Sequence, residues 1–138
     1  MRTLKLLVGG ETPDAGLLFA RLAGALMLLS VHGLPKLLHW QRELVHIEDP
    51  LGMGPGLTLA CALFAEVLCP VLVALGLFTR LACLPPLFLL GVSMVLVHPD
   101  WSLEQGQFGW LLMIVFGTVA LAGAGRWSLD HRLASRIA

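Results

Sequence analysis

Apolar residues along this chain neither alternate nor keep to one helical face; they run in four blocks, residues 17–38, 57–78, 81–97 and 108–123, separated by short stretches rich in Gly, Pro and charge. A hydrocarbon core roughly 30 Å thick takes about 20 helical residues to cross, and each block approaches or exceeds that length. Backbone N–H and C=O groups in lipid must be paired within the segment, which selects helices over isolated strands. A β-barrel would show alternating polarity over about 10 residues per strand, and the blocks lack it. The pattern predicts an all-α integral membrane four-helix bundle, with residues 1–138 forming a single domain.

Composition strengthens that reading. The chain is 57% hydrophobic and 13% charged with a mean hydropathy of +0.85, far from the soluble balance. The stretch MRTLKLLVGGETPDAG mixes both charge signs with glycine, and no small-residue cleavage site follows a short apolar core. No removable signal peptide is expected, so the first span stays.

Lys and Arg set the expected orientation. Arg2 and Lys5 precede the first span, Arg80 lies between the second and third, and Arg126, Arg132 and Arg136 follow the fourth. On the other side Arg42 faces Glu43, Glu48 and Asp49, and the loop after the third span adds Asp100 and Glu104. Both termini are therefore expected in the cytoplasm. Trp40, Trp101 and Trp110 fall at the outer boundary and Trp127 at the inner one, where amphipathic rings sit at headgroup level.

A net charge of +0 supplies no broad basic field for nucleic acid, which is excluded as a partner. Cys61, Cys69 and Cys83 all fall inside spans without a C-x-x-C pair. Cys61 and Cys69 sit about 12 Å apart along one helix axis, beyond disulfide reach, so the thiols read as small packing groups. His39 and His46 with Glu43, Glu48 and Asp49 match no compact metal-ligand spacing. They read as a solvated loop, and no metal site is expected.

Chemistry concentrates in the ionisable residues inside the spans, each costing at least about 2.5 kcal/mol in hydrocarbon. At 100° per residue, Arg21, His32, Lys36 and His39 fall along one stripe of the first span, which is expected to face the bundle interior. The second span carries one acid, Glu66, near mid-bilayer. By helical rise His32 lies roughly 6 Å outward of centre and Arg21 roughly 10 Å inward, which makes His32 the expected partner in depth. Lys36 is placed above the pair, and Arg21 below it, reaching towards it or snorkelling. Pro70 removes the i+4 donor for the Glu66 carbonyl and Pro35 does the same for Val31, so both free carbonyls are expected near the polar pair, lining a cavity or re-satisfied by neighbours. Glu66 and His32 are thus the candidate catalytic pair. Lys36 and Arg21 are candidate ligand contacts, joined by His98 at the outer end of the third span in SMVLVHPDW. Pro85-Pro86 suits a first helical turn, and GAGRWSLDHRLASR reads as glycines ending the fourth span followed by a basic surface anchor.

Arg21, HGLPK (residues 32–36), Glu66, LGLFTRLA (75–82) and GAGRWSLD (123–130), taken in order and spacing from about residue 16 to residue 130, resemble the DoxX family of small four-helix bacterial membrane proteins. The resemblance implies an inner-membrane protein in a group named for a subunit of a thiosulfate:quinone oxidoreductase, with relatives tied to redox and sulfur handling. The leading expectation is a redox-associated membrane subunit binding a quinone-like or other amphipathic ligand in a bundle cavity that opens outward. Glu66 and His32 would hydrogen-bond the polar head and exchange protons there, and Lys36 and Arg21 would tune their charge. The alternatives are a non-catalytic assembly subunit that docks a redox protein, and a small metal- or solute-handling protein. Against the last, the spans show no inverted repeat, although a homo-oligomer would restore symmetry.

Overall fold

The computed structural model of the chain describes residues 13–137; Arg2 and Lys5, used above for orientation, lie outside them. Helix is the dominant structure of residues 13–137, with no strand among them. Four helices are long and apolar enough to cross a membrane: α1 (Pro13–Leu38), α3 (Pro55–Leu75), α4 (Thr79–Val97) and α5 (Leu103–Ala122). Two short ones lie outside the spans, α2 (Trp40–His46) and α6 (Leu129–Ile137). The chain forms the expected four-helix membrane bundle.

The ends of the spans follow local chemistry. Helix α5 begins five residues before the apolar block because Ser102 and Gln105 form a reciprocal capping box, each side chain bonded to the other's backbone N–H, which satisfies donors left over at a helix start. Helix α3 stops at Leu75 because Gly76 takes the left-handed conformation, φ +70°, open to glycine without a side-chain penalty.

Three spans contain one widened turn each, at Leu29–Gly33, Phe64–Leu68 and Ser93–Val97. Their closing bonds run from Leu34 N–H to Leu29 O, from Cys69 N–H to Phe64 O and from His98 N–H to Ser93 O, spanning five residues instead of four. Every one closes on the residue just before a proline: Pro35, Pro70 or Pro99. A proline ring collides with the carbonyl four residues back and cannot donate to it, and opening the turn by one residue relieves that clash.

Helix α1 packs against α3 and α5, and α4 packs against α5 and the widened turn of α3. The two widened turns of α1 and α3 meet face to face. There the Glu66 carbonyl, deprived of its ordinary donor by Pro70, occupies the place a β-carbon on Gly33 would take. Only glycine lets the backbones approach this closely, the small-residue contact common between membrane helices. A packed core including Leu28, Val73, Ala82, Leu112, Phe116 and Val119 fills the half of the bundle nearer the chain ends. The other half is hollow.

Asp14, at the start of α1, accepts a 2.7 Å bond from the Arg126 backbone N–H, so the beginning of α1 and the segment after α5 share one end of the bundle. Asp130 accepts from the Phe78 and Thr79 amides at 2.7 and 2.9 Å and returns its own N–H to Gly76 O at 2.8 Å. Phe78, held at φ +48°, is thereby fixed in a conformation that non-glycine residues seldom adopt. The 123–130 stretch is more than the surface anchor its composition suggested. It stitches α1, the α3–α4 turn and α5 together, and only α6 beyond it is exposed along most of its length.

Candidate functional site

The hollow half of the bundle is a cavity of about 850 Å³, within the size range of small-molecule sites. Its walls include Ala62 and Phe64 of α3 and Pro85, Phe88 and Leu89 of α4, and residues of α2 and the 47–53 loop also line it. All three widened turns contribute to it, through His32, Glu66, Ser93 and Val97. Such turns recur at functional sites because they turn side chains and backbone out of regular register.

On the cavity wall the side chain of Glu66, 2% exposed, meets Lys36, 22% exposed. Lys36 Nζ donates to both carboxylate oxygens, 2.8 Å to Oε1 and 2.6 Å to Oε2. The partner expected from depth was His32, and the structure corrects that. Side chains on a helix lean towards its N-terminus, so the long stem of Lys36 runs back along α1 to the level of the acid. The shorter imidazole of His32 instead lies 5.6 Å from the Phe108 ring, tilted by 39°, and faces the same cavity. The polar floor is therefore a buried carboxylate–ammonium pair with an imidazole beside it.

Arg21 does not take part. It is 1% exposed, and its Nη1 donates to the Val73 and Ala74 carbonyls at 3.2 Å each while Nη2 donates to Trp127 O at 2.6 Å. These are last-turn carbonyls of α3, beyond its regular i+4 bonds, with Val73 O also accepting the Gly76 N–H at 3.1 Å, together with the segment that crosses the chain-end side of the bundle. The side chain reaches them because Gly76 has no β-carbon; Arg21 Nη1 and Ser128 fill that space. Arg21 is a structural clamp at the opposite end from the cavity. His39 leaves the expected interior stripe as well: it is exposed, its ring 3.0 Å from Pro35 O.

His98 lines the cavity with its ring stacked on Trp101, centroids 3.7 Å apart and planes within 7°. His46 and Glu43 also line the cavity. Asp49 ties the 47–54 loop: its carboxylate accepts from Thr58 Oγ1 at 2.7 Å, Met53 N–H at 2.9 Å and Gly54 N–H at 2.7 Å. The Thr58 hydroxyl bond first, and then the backbone amides, hold the Asp49 carboxyl below its ordinary value of 3.8. Among the described residues no three His, Cys, Asp or Glu side chains gather in metal-ligating positions. The three thiols are free; Cys69 and Cys83 are buried and Cys61 is exposed on the cavity wall.

Sequence reasoning missed Gly33, Asp14, Asp130 and the Asp49 tie. A glycine next to HxxxK on an apolar helix was the available signal for the first. The acids were legible only as loop charges, since their partners lie up to 112 residues away.

The model of the DoxX family matches residues 16–99, a range that contains Glu66, Lys36, His32 and His98. The inner membrane protein YphA of Escherichia coli (strain K12) is 30% identical over 142 residues, covering 96% of this chain and 100% of that protein. No solved structure matches. With four membrane-crossing helices, a family match over most of its length and an inner-membrane relative aligned end to end, the chain belongs to the DoxX family and is a multi-pass protein of the bacterial inner membrane.

Proposed function

We propose that this protein is a redox-associated inner-membrane subunit that binds a quinone-like amphipathic ligand in the cavity between α1, α3 and α4. The observation that carries the proposal is the Lys36–Glu66 pair on the wall of a largely apolar cavity of about 850 Å³. Hydrocarbon needs no ion pair to pack helices, and intramembrane charges that line a cavity mark ligand or proton pathways. The residues present suit a quinone head: an ammonium to donate to a carbonyl oxygen, a carboxylate and an imidazole to take or give protons, and aromatic and aliphatic walls for the ring and tail. A bound quinone would supply two-electron, two-proton chemistry, with a redox protein as the electron partner.

In this reading Lys36 orients the polar head, and Glu66 and His32 hold its protons. His98 and Trp101 form a stacked aromatic edge at the mouth. Arg21 keeps the far end shut. The excess of Arg at the chain-end side supports an orientation with both termini in the cytoplasm, so the cavity would open outward.

The test is binding of short-tailed ubiquinone and menaquinone analogues to detergent-solubilised protein, followed by quenching of tryptophan fluorescence. Wild type should bind, and Lys36→Met and Glu66→Gln should each weaken binding at least tenfold. His32→Ala should bind with a smaller loss. Equal affinity in all four proteins would remove the site. Stoichiometric co-purification of a redox protein without quinone binding would favour the non-catalytic assembly role instead.

A further inference from the structure

The opposite end of the bundle carries a second cavity, about 580 Å³, formed where the α3–α4 turn, the end of α5 and the start of α6 converge. Arg80, Arg126 and His131 line it, and so do the apolar side chains of Phe78 and Leu81. Phe78 and Leu81 are 62% and 66% exposed, at the point where a span begins. Two acids are also present: Asp130 gives both oxygens to the Phe78 and Thr79 N–H groups, and Asp14 gives Oδ1 to the Arg126 N–H. Among the described residues neither guanidinium has a carboxylate partner, the one ion pair there being Lys36–Glu66. Arg80 is folded over the Gly123 turn, its Nε and Nη2 lying 3.3 and 3.4 Å from where a β-carbon there would stand. Thr79, 1% exposed and also on the cavity lining, has a buried hydroxyl without a hydrogen-bond partner. Unpaired cations, an unsatisfied hydroxyl donor and an exposed apolar wall at membrane-boundary depth describe one kind of ligand.

We infer that this cavity holds the phosphate of an anionic phospholipid, with Arg80 and Arg126 on its oxygens, Thr79 Oγ1 donating to it, and an acyl chain running down past Leu81. Basic pockets between membrane helices take lipid head groups for this reason: phosphate oxygens accept the hydrogen bonds and the bilayer supplies the ligand at high local concentration. The amphipathic helix α6, with Arg132 and Arg136 exposed, extends the same basic face along the membrane surface. The bound head group would lock the stitched junction of α1, α3–α4 and α5, independently of what the other cavity binds.

Native mass spectrometry of the full chain tests this by comparing retention of phosphatidylglycerol and phosphatidylcholine. A thermal-shift titration with inorganic phosphate alone runs beside it. Phosphatidylglycerol should be retained preferentially. Arg80→Gln and Arg126→Gln should each weaken retention roughly fivefold, the equivalent of about 1 kcal/mol per basic group, and Thr79→Val should weaken it measurably. Arg136→Gln, on the same basic face but off the cavity, should have little effect. If a glutamine variant fails to fold, Arg80→Lys and Arg126→Lys should keep most of the preference. Equal retention of the two lipids, or equal losses from Arg136→Gln and Arg80→Gln, would overturn the site. Saturation by free phosphate with no further gain from phosphatidylglycerol would overturn the assignment to lipid.

Discussion

Removing Lys36 and removing Glu66 should not be equivalent, and the difference follows from their burial. Breaking a buried ion pair by deleting one partner typically costs about 3–5 kcal/mol, because the survivor is left uncompensated in low dielectric. Glu66 is 2% exposed and fixed on a helix wall, whereas Lys36 is 22% exposed and has a long stem. Lys36→Met strands the carboxylate where no other cation reaches it, and with a partly exposed partner the cost should be about 2–3 kcal/mol. Glu66→Gln leaves an ammonium that swings towards the cavity mouth, as long cationic side chains do, so it should cost about 1–2 kcal/mol. The double variant removes both charges and should be no worse than Lys36→Met alone, which makes the coupling at least about 1 kcal/mol. Unfolding by SDS in mixed micelles, read from tryptophan fluorescence, measures all four proteins on one scale. Additive losses, or Glu66→Gln costing more than Lys36→Met, would refute the reasoning that the acid is the trapped member of the pair.

Three further outcomes are expected. Gly33→Ala would put a methyl group on the Glu66 carbonyl and 2.9 Å from Val67 Cγ2, forcing α1 and α3 apart at a cost of about 1–3 kcal/mol; Gly91→Ala, with nothing within 4 Å, should be neutral or stabilising in the same unfolding assay. Arg21→Lys replaces a planar fork by a point charge and cannot keep all three carbonyl bonds. It should lose about 2 kcal/mol or more and speed proteolysis of residues 126–137, and unchanged protection of that segment would contradict the clamp. The Asp49 carboxyl lies below its ordinary value of 3.8 when folded, so its contribution to the loop is complete above that value and is lost as pH falls through the lower folded value. The protection of amides in residues 47–54, measured as exchange relative to the intrinsic rate at each pH, should therefore fall below about pH 4, and Asp49→Asn should abolish that dependence.

The bundle was legible because length and hydropathy alone decide whether a helix crosses a bilayer, and nothing in the tertiary contacts of 17–38 or 108–123 contradicts that rule. The polar residues were legible as a set and misassigned as pairs. Placing them by a uniform 100° step and by Cα depth treats a helix as a regular rod and a side chain as a point. The widened turn at Leu29–Gly33 breaks the first assumption between Arg21 and Lys36, and the reach of lysine breaks the second. The prolines pointed to the right places, since residues 35 and 70 adjoin the site. Their effect was a widened turn that closes before each ring, and one freed carbonyl lodged against Gly33. Asp14 and Asp130 were unreadable because a carboxylate that caps a distant turn looks, in one dimension, like any solvated acid.

The two cations within span α1 make the case that the ends of this bundle differ in what they can offer a ligand. Arg21 spends three of its donors on carbonyls that cannot move, in a packed region beside Phe116 and Val73; such an arrangement closes a bundle and leaves its Nη groups little to offer a ligand. Lys36 spends its donors on a side chain, beside open volume and an imidazole that has no hydrogen bond among the described residues. A side chain–side chain pair can exchange partners without disturbing the backbone, and an ammonium has a third hydrogen to give. A polar-headed ligand entering from the loop end can therefore be met without melting a helix turn, whereas the same ligand at Arg21 would have to displace three structural bonds. The proposed ligand chemistry fits the Lys36 end, and a bundle whose Arg21→Lys variant bound quinone analogues normally while its Lys36→Met variant did not would show the division directly.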